Sequence, residues 1–135
     1  MSPVQIKTWA MYACLENADH ICMDISAWMT ELNLSRHIFP LELLAREALN
    51  NAIIHGSQMD PAKKIYAELL CDENILQLKI RDEGPGFNWR GTLQKDMVAD
   101  NKENGRGLKL YQLYADQVEF NEIGNQVILT RSIKD

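Results

Sequence analysis

Glu47 and Asn51 lie four residues apart in a stretch whose apolar spacing is that of an amphipathic helix. Residues four apart project from the same side of a helix, so the carboxylate and the amide are expected to lie close together. Glu42 has Arg46 as a partner one turn away, whereas Glu47 has no basic residue at these spacings. A carboxylate can take a proton and an amide oxygen can hold Mg²⁺. The alternative is an acid that only faces water.

A second group of residues with possible chemistry, Asp82, Gly84 and Gly86, follows a predicted strand. An acid at a strand end can accept a hydrogen bond from an exocyclic amine such as that of adenine. Glycines beside it let the backbone approach a ligand closely. The same D-x-G-x-G pattern also occurs in plain turns, so both interpretations remain open on these residues alone.

A third group, Gly105, Arg106 and Gly107, comes directly before Leu108, where the pattern predicts the start of a helix. The N–H groups and dipole at a helix N-terminus attract phosphate, and the arginine can add a charge-assisted hydrogen bond. The spacing matches neither the P-loop nor the dinucleotide-binding fingerprint.

The hydrophobic pattern predicts three helices and five strands that hold these groups in place. Strands joined by hairpins, with three helices to cover one face, give an α/β two-layer sandwich on a mostly antiparallel sheet. A polar stretch from Phe87 to Asn104 is predicted to be a mobile lid. The predicted helices run from Glu16 or Asn17 to Leu34, from Ser35 to His55 with Gly56 as a left-handed end, and from Leu108 to Ala115. In the second of these Ser35 is the N-cap, and Pro40 either takes the first helical position or bends the helix early. The predicted strands run from Val4 to Met11, Lys64 to Cys71, Ile75 to Arg81, Gln117 to Ile123 and Asn125 to Ile133.

Composition limits the function classes. The 135 residues fit one domain, 1–135, and a net charge of −5 argues against a nucleic acid partner. No apolar run approaches the roughly 20 residues of a membrane span, so no membrane association is expected. The cysteines at 14, 22 and 71 are too scattered for a disulfide framework or a zinc site, which predicts a reduced, cytoplasmic setting.

Taken in this order, E-x-x-x-N on a helix, D-x-G-x-G at a strand end and G-x-G-L after a polar lid resemble the three boxes of the Bergerat-fold ATPases, the GHKL superfamily with a histidine-kinase-like ATPase domain. The resemblance covers Ser35 to about Thr130. The segment from Glu47 to Gly56 looks most like that of the anti-sigma-factor serine-protein kinases of bacterial partner-switching systems.

This resemblance implies ATP and Mg²⁺ as cofactors and assigns roles residue by residue. Asn51 matches the magnesium ligand, and Glu47 matches the catalytic base that takes the proton of a serine hydroxyl. The nucleotide would be bound by Asp82 at the adenine, by Gly84 and Gly86 beneath the base, and by Gly105, Arg106, Gly107 and Leu108 at the phosphates. A threonine often found near the adenine is replaced around Asn125 and Gln126, which puts the detail of base recognition in doubt.

In the family that the chain resembles, one protein sequesters a sigma factor or similar target and phosphorylates a serine of a small anti-sigma factor antagonist, a STAS-domain protein. The resemblance therefore implies an ATP-dependent protein serine kinase with these partners and a possible homodimer. Two alternatives stay open. The chain could be a nucleotide-gated binding module without kinase activity, or the ATPase domain of a histidine kinase.

Overall fold

The structure is a computed structural model that describes residues 3–87 and 103–134, with the backbone alone for residues 103–108. Five strands form one sheet in the order β1-β2-β3-β5-β4, and every neighbouring pair is antiparallel. The strands are β1 Gln5–Tyr12, β2 Lys64–Cys71, β3 Ile75–Asp82, β4 Gln117–Phe120 and β5 Gln126–Ser132. This confirms the predicted α/β class with an antiparallel sheet.

Three α-helices in the described residues pack with the sheet around one hydrophobic core. Strands β2 and β3 bury alternate side chains because neighbouring residues of a strand point to opposite faces. The helices are α1 Leu15–Glu31, α2 Ile38–Asn51 and α3 Glu103–Tyr114. Fully buried side chains from helix and strand meet in the core, among them Ile21, Leu41, Leu44, Leu49, Leu69 and Leu78. None of the described helices has both the length and the apolar content that crossing a membrane requires.

Strand β1 is an edge strand, as the sequence predicts, and is mostly exposed. Its buried residue Trp9 donates a hydrogen bond from Nε1 to Oδ2 of Asp24 at 3.0 Å. Asp24 belongs to α1, so this bond fastens the edge strand to the helical layer.

The second predicted helix, Ser35 to His55, is divided into three parts. Ser35–His37 is a 3₁₀ turn, Ile38–Asn51 is α2, and Ala52–Gly56 is a π-helical turn. In the π turn the N–H of Ser57 donates to the carbonyl of Ala52 at 2.7 Å, five residues back. Single π turns are frequent at functional sites.

The prediction that Gly56 ends this helix in the left-handed region is wrong. Positive φ angles occur after it, at Gln58 (54°) and Met59 (59°), and Gly56 has none. The glycine is required for another reason, because a Cβ at position 56 would lie 2.2 Å from Oδ2 of Asp82. Close approach to the end of β3, not backbone conformation, excludes a side chain here.

The two predicted hairpins are present, with small differences at their ends. The first has the predicted tip, where Oδ1 of Asp72 accepts from the N–H groups of Asn74 and Ile75 at 2.7 and 2.8 Å. The second has shorter strands than predicted because the side chain of Asn121 organises a wider turn. Its Oδ1 accepts from the N–H groups of Gly124 and Asn125 at 2.8 and 3.0 Å.

Helix α3 begins at Glu103, five residues before the predicted start at Leu108. The predicted glycine loop that leads into the helix is therefore wrong, since Gly105 and Gly107 lie inside its first turns. An acid at the first position favours this start, while each glycine costs a helix about 1 kcal/mol relative to alanine. Most of the predicted lid from Phe87 to Asn104 lies outside the described residues.

Candidate functional site

A pocket opens where α2 and its π turn, the end of β3, the β4–β5 turn and α3 meet. The space between its lining atoms, open solvent included, is about 680 Å³. Three predicted site residues, Asn51, Asp82 and Gly86, line this one pocket. Its other walls include Ala48, Ala52, His55, Gly56, Ile80, Phe87, Tyr111, Phe120, Gly124, Asn125, Gln126 and Val127.

Asp82 is the one acidic side chain among the described residues that line the pocket. Only 7% of its surface is exposed, and its Oδ1 accepts a hydrogen bond from the N–H of Gly84 at 2.7 Å. Its Oδ2 accepts no hydrogen bond from any group that the structure describes. Burial raises the pKa of Asp82, while the Gly84 N–H, Lys63 and Arg81 act in the opposite direction. One carboxylate oxygen is thus held by the backbone and the other is available to a donor.

Gly56 and Gly84 pack so closely around Asp82 that neither position has room for a methyl group. A Cβ on Gly84 would lie 2.0 Å from the carbonyl oxygen of Gly56, which is a backbone atom that cannot rotate away. The π turn and the segment after β3 therefore touch through their backbones. This contact fixes the carboxylate at the base of the pocket.

Next to Asp82, the segment that carries Gly86 and the β4–β5 turn that carries Gly124 also lie in close backbone contact. Gly86 and Gly124 both have φ of 85°, which L side chains rarely adopt. A Cβ on Gly86 would lie 1.8 Å from the carbonyl oxygen of Ile123, and one on Gly124 would lie 2.4 Å from that of Phe87. The two segments can cross only because both residues are glycine.

Asn125, one of the two residues around which the resemblance leads us to expect a threonine, joins these two segments. Its Nδ2 donates to the carbonyl of Gly84 at 3.3 Å, and its backbone carbonyl accepts from the N–H of Asp82 at 2.9 Å. Its Oδ1 accepts from Nδ2 of Asn121 at 2.6 Å. The residue therefore supports the loop that carries Asp82.

Two aromatic side chains, Phe87 and Phe120, form an apolar wall of the pocket. Their ring centroids are 5.5 Å apart with an interplanar angle of 83°, an edge-to-face arrangement. Beside the carboxylate of Asp82, this wall suits a flat, mostly apolar ligand with an amino group at one edge.

Away from Asp82, Asn51 lines the pocket, and Glu47 lies one turn before it on α2, as their spacing predicts, but is not among the lining residues. Both are half-buried. Nδ2 of Asn51 donates to the hydroxyl oxygen of Tyr111 on α3 at 3.2 Å. Burial raises the pKa of Tyr111, its hydrogen bond with Asn51 lowers it, and the charge of Glu47 adds to the rise. Glu47, Asn51 and Tyr111 therefore form one electrostatically connected group.

The third predicted group lies at the start of α3, whose later part carries Tyr111. Gly107 is one turn before Tyr111, so the helix that contacts Asn51 also carries the predicted phosphate box. The side chains of Arg106 and Leu108 lie outside the described part of the chain. The roles of Gly105, Arg106, Gly107 and Leu108 remain predictions.

The donor set at this end fits a magnesium ion that enters with a phosphate ligand. Among residues 3–87 and 103–134, no group of three or more His, Cys, Asp and Glu side chains is placed to hold a metal ion. Mg²⁺ usually takes one or two protein oxygens, with phosphate oxygens and water completing its octahedron. The amide oxygen of Asn51, with the carboxylate of Glu47 one turn away, matches that need.

The sequence did not identify Tyr111, Phe87 and Phe120 as pocket residues, nor Asn125 as the residue that supports the loop carrying Asp82. A signal existed for Tyr111, because Leu108, Tyr111 and Ala115 repeat at helical spacing and predict a buried face of the third helix. The aromatic pair joins residues 33 positions apart, and local patterns do not report such contacts.

Comparison with protein-family models matches residues 11–131 to the histidine kinase-like ATPase domain. The match spans most of the chain and includes every element from the end of β1 to β5.

Similar proteins that share one name come from several organisms. The chain is 25% identical over 125 residues to the anti-sigma F factor of Oceanobacillus iheyensis, covering 87% of this chain and 86% of the relative. It is 25% identical over 130 residues to the anti-sigma F factor of Bacillus cytotoxicus, with 91% and 89% covered. The anti-sigma F factor of Shouchella clausii is 25% identical over 114 residues, with 82% and 78% covered.

Proposed function

The chain belongs to the histidine kinase-like ATPase domain family, and from this premise we propose that it is an ATP- and magnesium-dependent serine-protein kinase of the anti-sigma type. Relatives named anti-sigma F factor match over 86% and 89% of their own length, which supports the anti-sigma type within this family. The observation that carries the proposal is the single pocket that joins Asp82 at one end to Asn51 at the other.

In this proposal the adenine amino group donates to Oδ2 of Asp82, and the base lies against the aromatic pair Phe87 and Phe120. Gly84 and Gly86 keep the backbone close beneath the base. The phosphates extend toward Asn51 and the start of α3, where Gly105, Arg106, Gly107 and Leu108 would bind them.

Transfer to a serine needs a proton acceptor and charge neutralisation around the γ-phosphate. The oxygen of Asn51 would hold magnesium, which, when bound, neutralises charge on the phosphate oxygens. Glu47 would accept the proton of the serine hydroxyl as the bond from serine oxygen to γ-phosphorus forms and the bond from γ-phosphorus to the bridging oxygen of ADP breaks. Glu47 lies one turn from Asn51, so one helix would orient both steps.

The proposed partners are a sigma factor or similar target, which the protein would sequester, and a STAS-domain antagonist whose serine it would phosphorylate. A homodimer is also possible within this proposal. We place the reaction in the cytoplasm, where the thiols at Cys14, Cys22 and Cys71 stay reduced.

The test mixes the protein with candidate antagonists and Mg·ATP and measures the intact mass of each antagonist. We expect one antagonist to gain the mass of a single phosphate on a serine, in an acid-stable form. Mg·ATP binding without any mass gain would instead support a nucleotide-gated module. An acid-labile phosphate would identify a histidine kinase domain.

A further inference from the structure

Tyr111 is a buried side chain of α3 whose hydroxyl contacts the proposed magnesium ligand. Only 3% of its surface is exposed, and its hydroxyl oxygen accepts a hydrogen bond from Nδ2 of Asn51 at 3.2 Å. Both residues line the pocket. The bond joins positions 60 residues apart in the chain, so it brings α3 and α2 together at the phosphate end.

An asparagine amide has two different ends, and only its oxygen can bind a cation. The amide of Asn51 could present either end to the pocket if nothing held its nitrogen. With Nδ2 bonded to Tyr111, Oδ1 is turned away from the tyrosine. The tyrosine hydroxyl is an uncharged partner for the amide nitrogen.

We propose that Tyr111 is a positioning residue that orients the amide of Asn51 so that its oxygen faces the magnesium ion carried by a bound nucleotide. The proposal rests on the proposed function, because it needs a nucleotide-bound cation in this pocket. Tyr111 lies outside the three sequence boxes. Loss of its hydroxyl is expected to weaken only the part of nucleotide affinity that depends on magnesium.

The test replaces Tyr111 with phenylalanine, which keeps the buried ring and removes the hydroxyl. Calorimetry then measures ADP affinity for Tyr111→Phe and wild type, with Mg²⁺ and with a chelator. We expect the gain in affinity that Mg²⁺ gives to fall by roughly 3- to 10-fold, the effect of one lost hydrogen bond. Affinity for ADP in chelator should stay within about 2-fold of wild type, since Asp82 and the base pocket are unchanged.

Tyr114→Phe is the matched control. Tyr114 lies on the same helix and is half-buried, and its hydroxyl makes no hydrogen bond with any group that the structure describes. Removing this hydroxyl should leave both affinities unchanged.

A second variant, Asn51→Asp, tests the orientation directly. A carboxylate has two equivalent oxygens, so it presents an oxygen to the cation in either orientation. Adding Tyr111→Phe to Asn51→Asp should therefore change the magnesium effect by less than about 2-fold. If Tyr111→Phe alone is unstable, comparison of Asn51→Asp with the double variant still tests the orientation, because a large change in the magnesium effect between these two proteins would contradict it.

Three results would overturn the inference. One is a magnesium effect in Tyr111→Phe equal to that of wild type. Another is an equal loss of affinity with Mg²⁺ and with chelator, which would mean that the hydroxyl only supports the fold. The third is a full effect of Tyr111→Phe in the Asn51→Asp background. A wild-type protein that binds no nucleotide would contradict the proposed function itself, and this outcome is distinct from all three.

Discussion

The two ends of the pocket are built differently. At the base end, a Cβ on Gly56 would lie 2.2 Å from the carboxylate of Asp82, and one on Gly84 would lie 2.0 Å from the backbone carbonyl of Gly56. At the phosphate end, Glu47, Asn51 and Tyr111 are side chains on two helices, and a 3.2 Å hydrogen bond from Asn51 to Tyr111 joins those helices. One end depends on the absence of side chains and the other depends on their orientation.

This difference predicts two kinds of failure. A carbon added at the base end must move the backbone, so it should damage the fold and ligand binding together. A group removed at the phosphate end leaves the core intact, so it should damage chemistry or cation binding and spare stability.

The largest expected effect is at the phosphate end, in Glu47→Ala. Removing a general base typically slows proton-coupled transfer by about 10²- to 10⁴-fold, or about 3–5 kcal/mol of barrier. ATP affinity and the free energy of unfolding should change little, because Glu47 is half-buried and outside the core. The measurement is the initial rate of phosphate transfer to the antagonist.

Glu42→Ala is its control. Glu42 lies on the same helix and pairs with Arg46 at 3.8 Å near the surface, an interaction worth little. If Glu47→Ala transfers phosphate at the wild-type rate, the residue has no part in the mechanism.

The next effect is at the base end, in Asp82→Asn. We expect ADP affinity to fall by about 10- to 150-fold, the usual value of a hydrogen bond to a charged group. The Asn oxygen can still accept from the Gly84 N–H, which turns the Asn nitrogen toward the adenine amino group so that two donors face each other. Calorimetry with ADP measures the loss. An unchanged affinity would remove Asp82 from base recognition.

A smaller effect, on stability, is expected for Gly84→Ala. The added Cβ meets the Gly56 carbonyl at 2.0 Å, so the unfolding free energy should fall by about 1–3 kcal/mol, with weaker ADP binding. Urea unfolding measures this change. Pro85→Ala, at the exposed neighbouring position, should cost less than about 1 kcal/mol. Equal effects at the two positions would contradict the backbone contact.

The smallest effect is a pH trend at the base end. Burial raises the folded-state pKa of Asp82 above its ordinary value of 3.8. As pH rises, the unfolded chain therefore loses this proton first, which lowers the free energy of unfolding of wild type relative to Asp82→Asn. The free energy of unfolding of wild type minus that of Asp82→Asn should fall as pH rises from 3.8 through the folded-state pKa of Asp82, and it should stay constant above that pKa. Urea unfolding at a series of pH values would show this, and a constant difference throughout would contradict it.

The parts that were predictable from the sequence are those set by local periodicity. Strand β2 has its predicted ends, and the four-residue spacing of Glu47 and Asn51 placed both on one side of α2. The alternation of Leu76, Leu78 and Ile80 correctly gave the buried face of β3.

The parts that were not predictable depend on tertiary contacts. Ala52–Gly56 has the composition of an ordinary helix end, so the sequence does not indicate its π turn. The turn lies where Gly56 packs against Asp82, a contact between residues far apart in the chain. The longer α3 contains two glycines that local propensity disfavours. The bond from Asn51 to Tyr111 joins residues that no periodic pattern connects.

The measurement that tests the account most directly is thermal unfolding of the wild-type protein with ATP, ADP or GTP, each with and without Mg²⁺. A ligand at about 100 times its dissociation constant adds about 2.7 kcal/mol to the folded state, which raises the Tm of a domain of this size by several degrees. If the pocket binds nucleotide, ATP and ADP will raise the Tm, and the rise will depend on Mg²⁺. A cooperative transition that no nucleotide shifts would contradict this prediction.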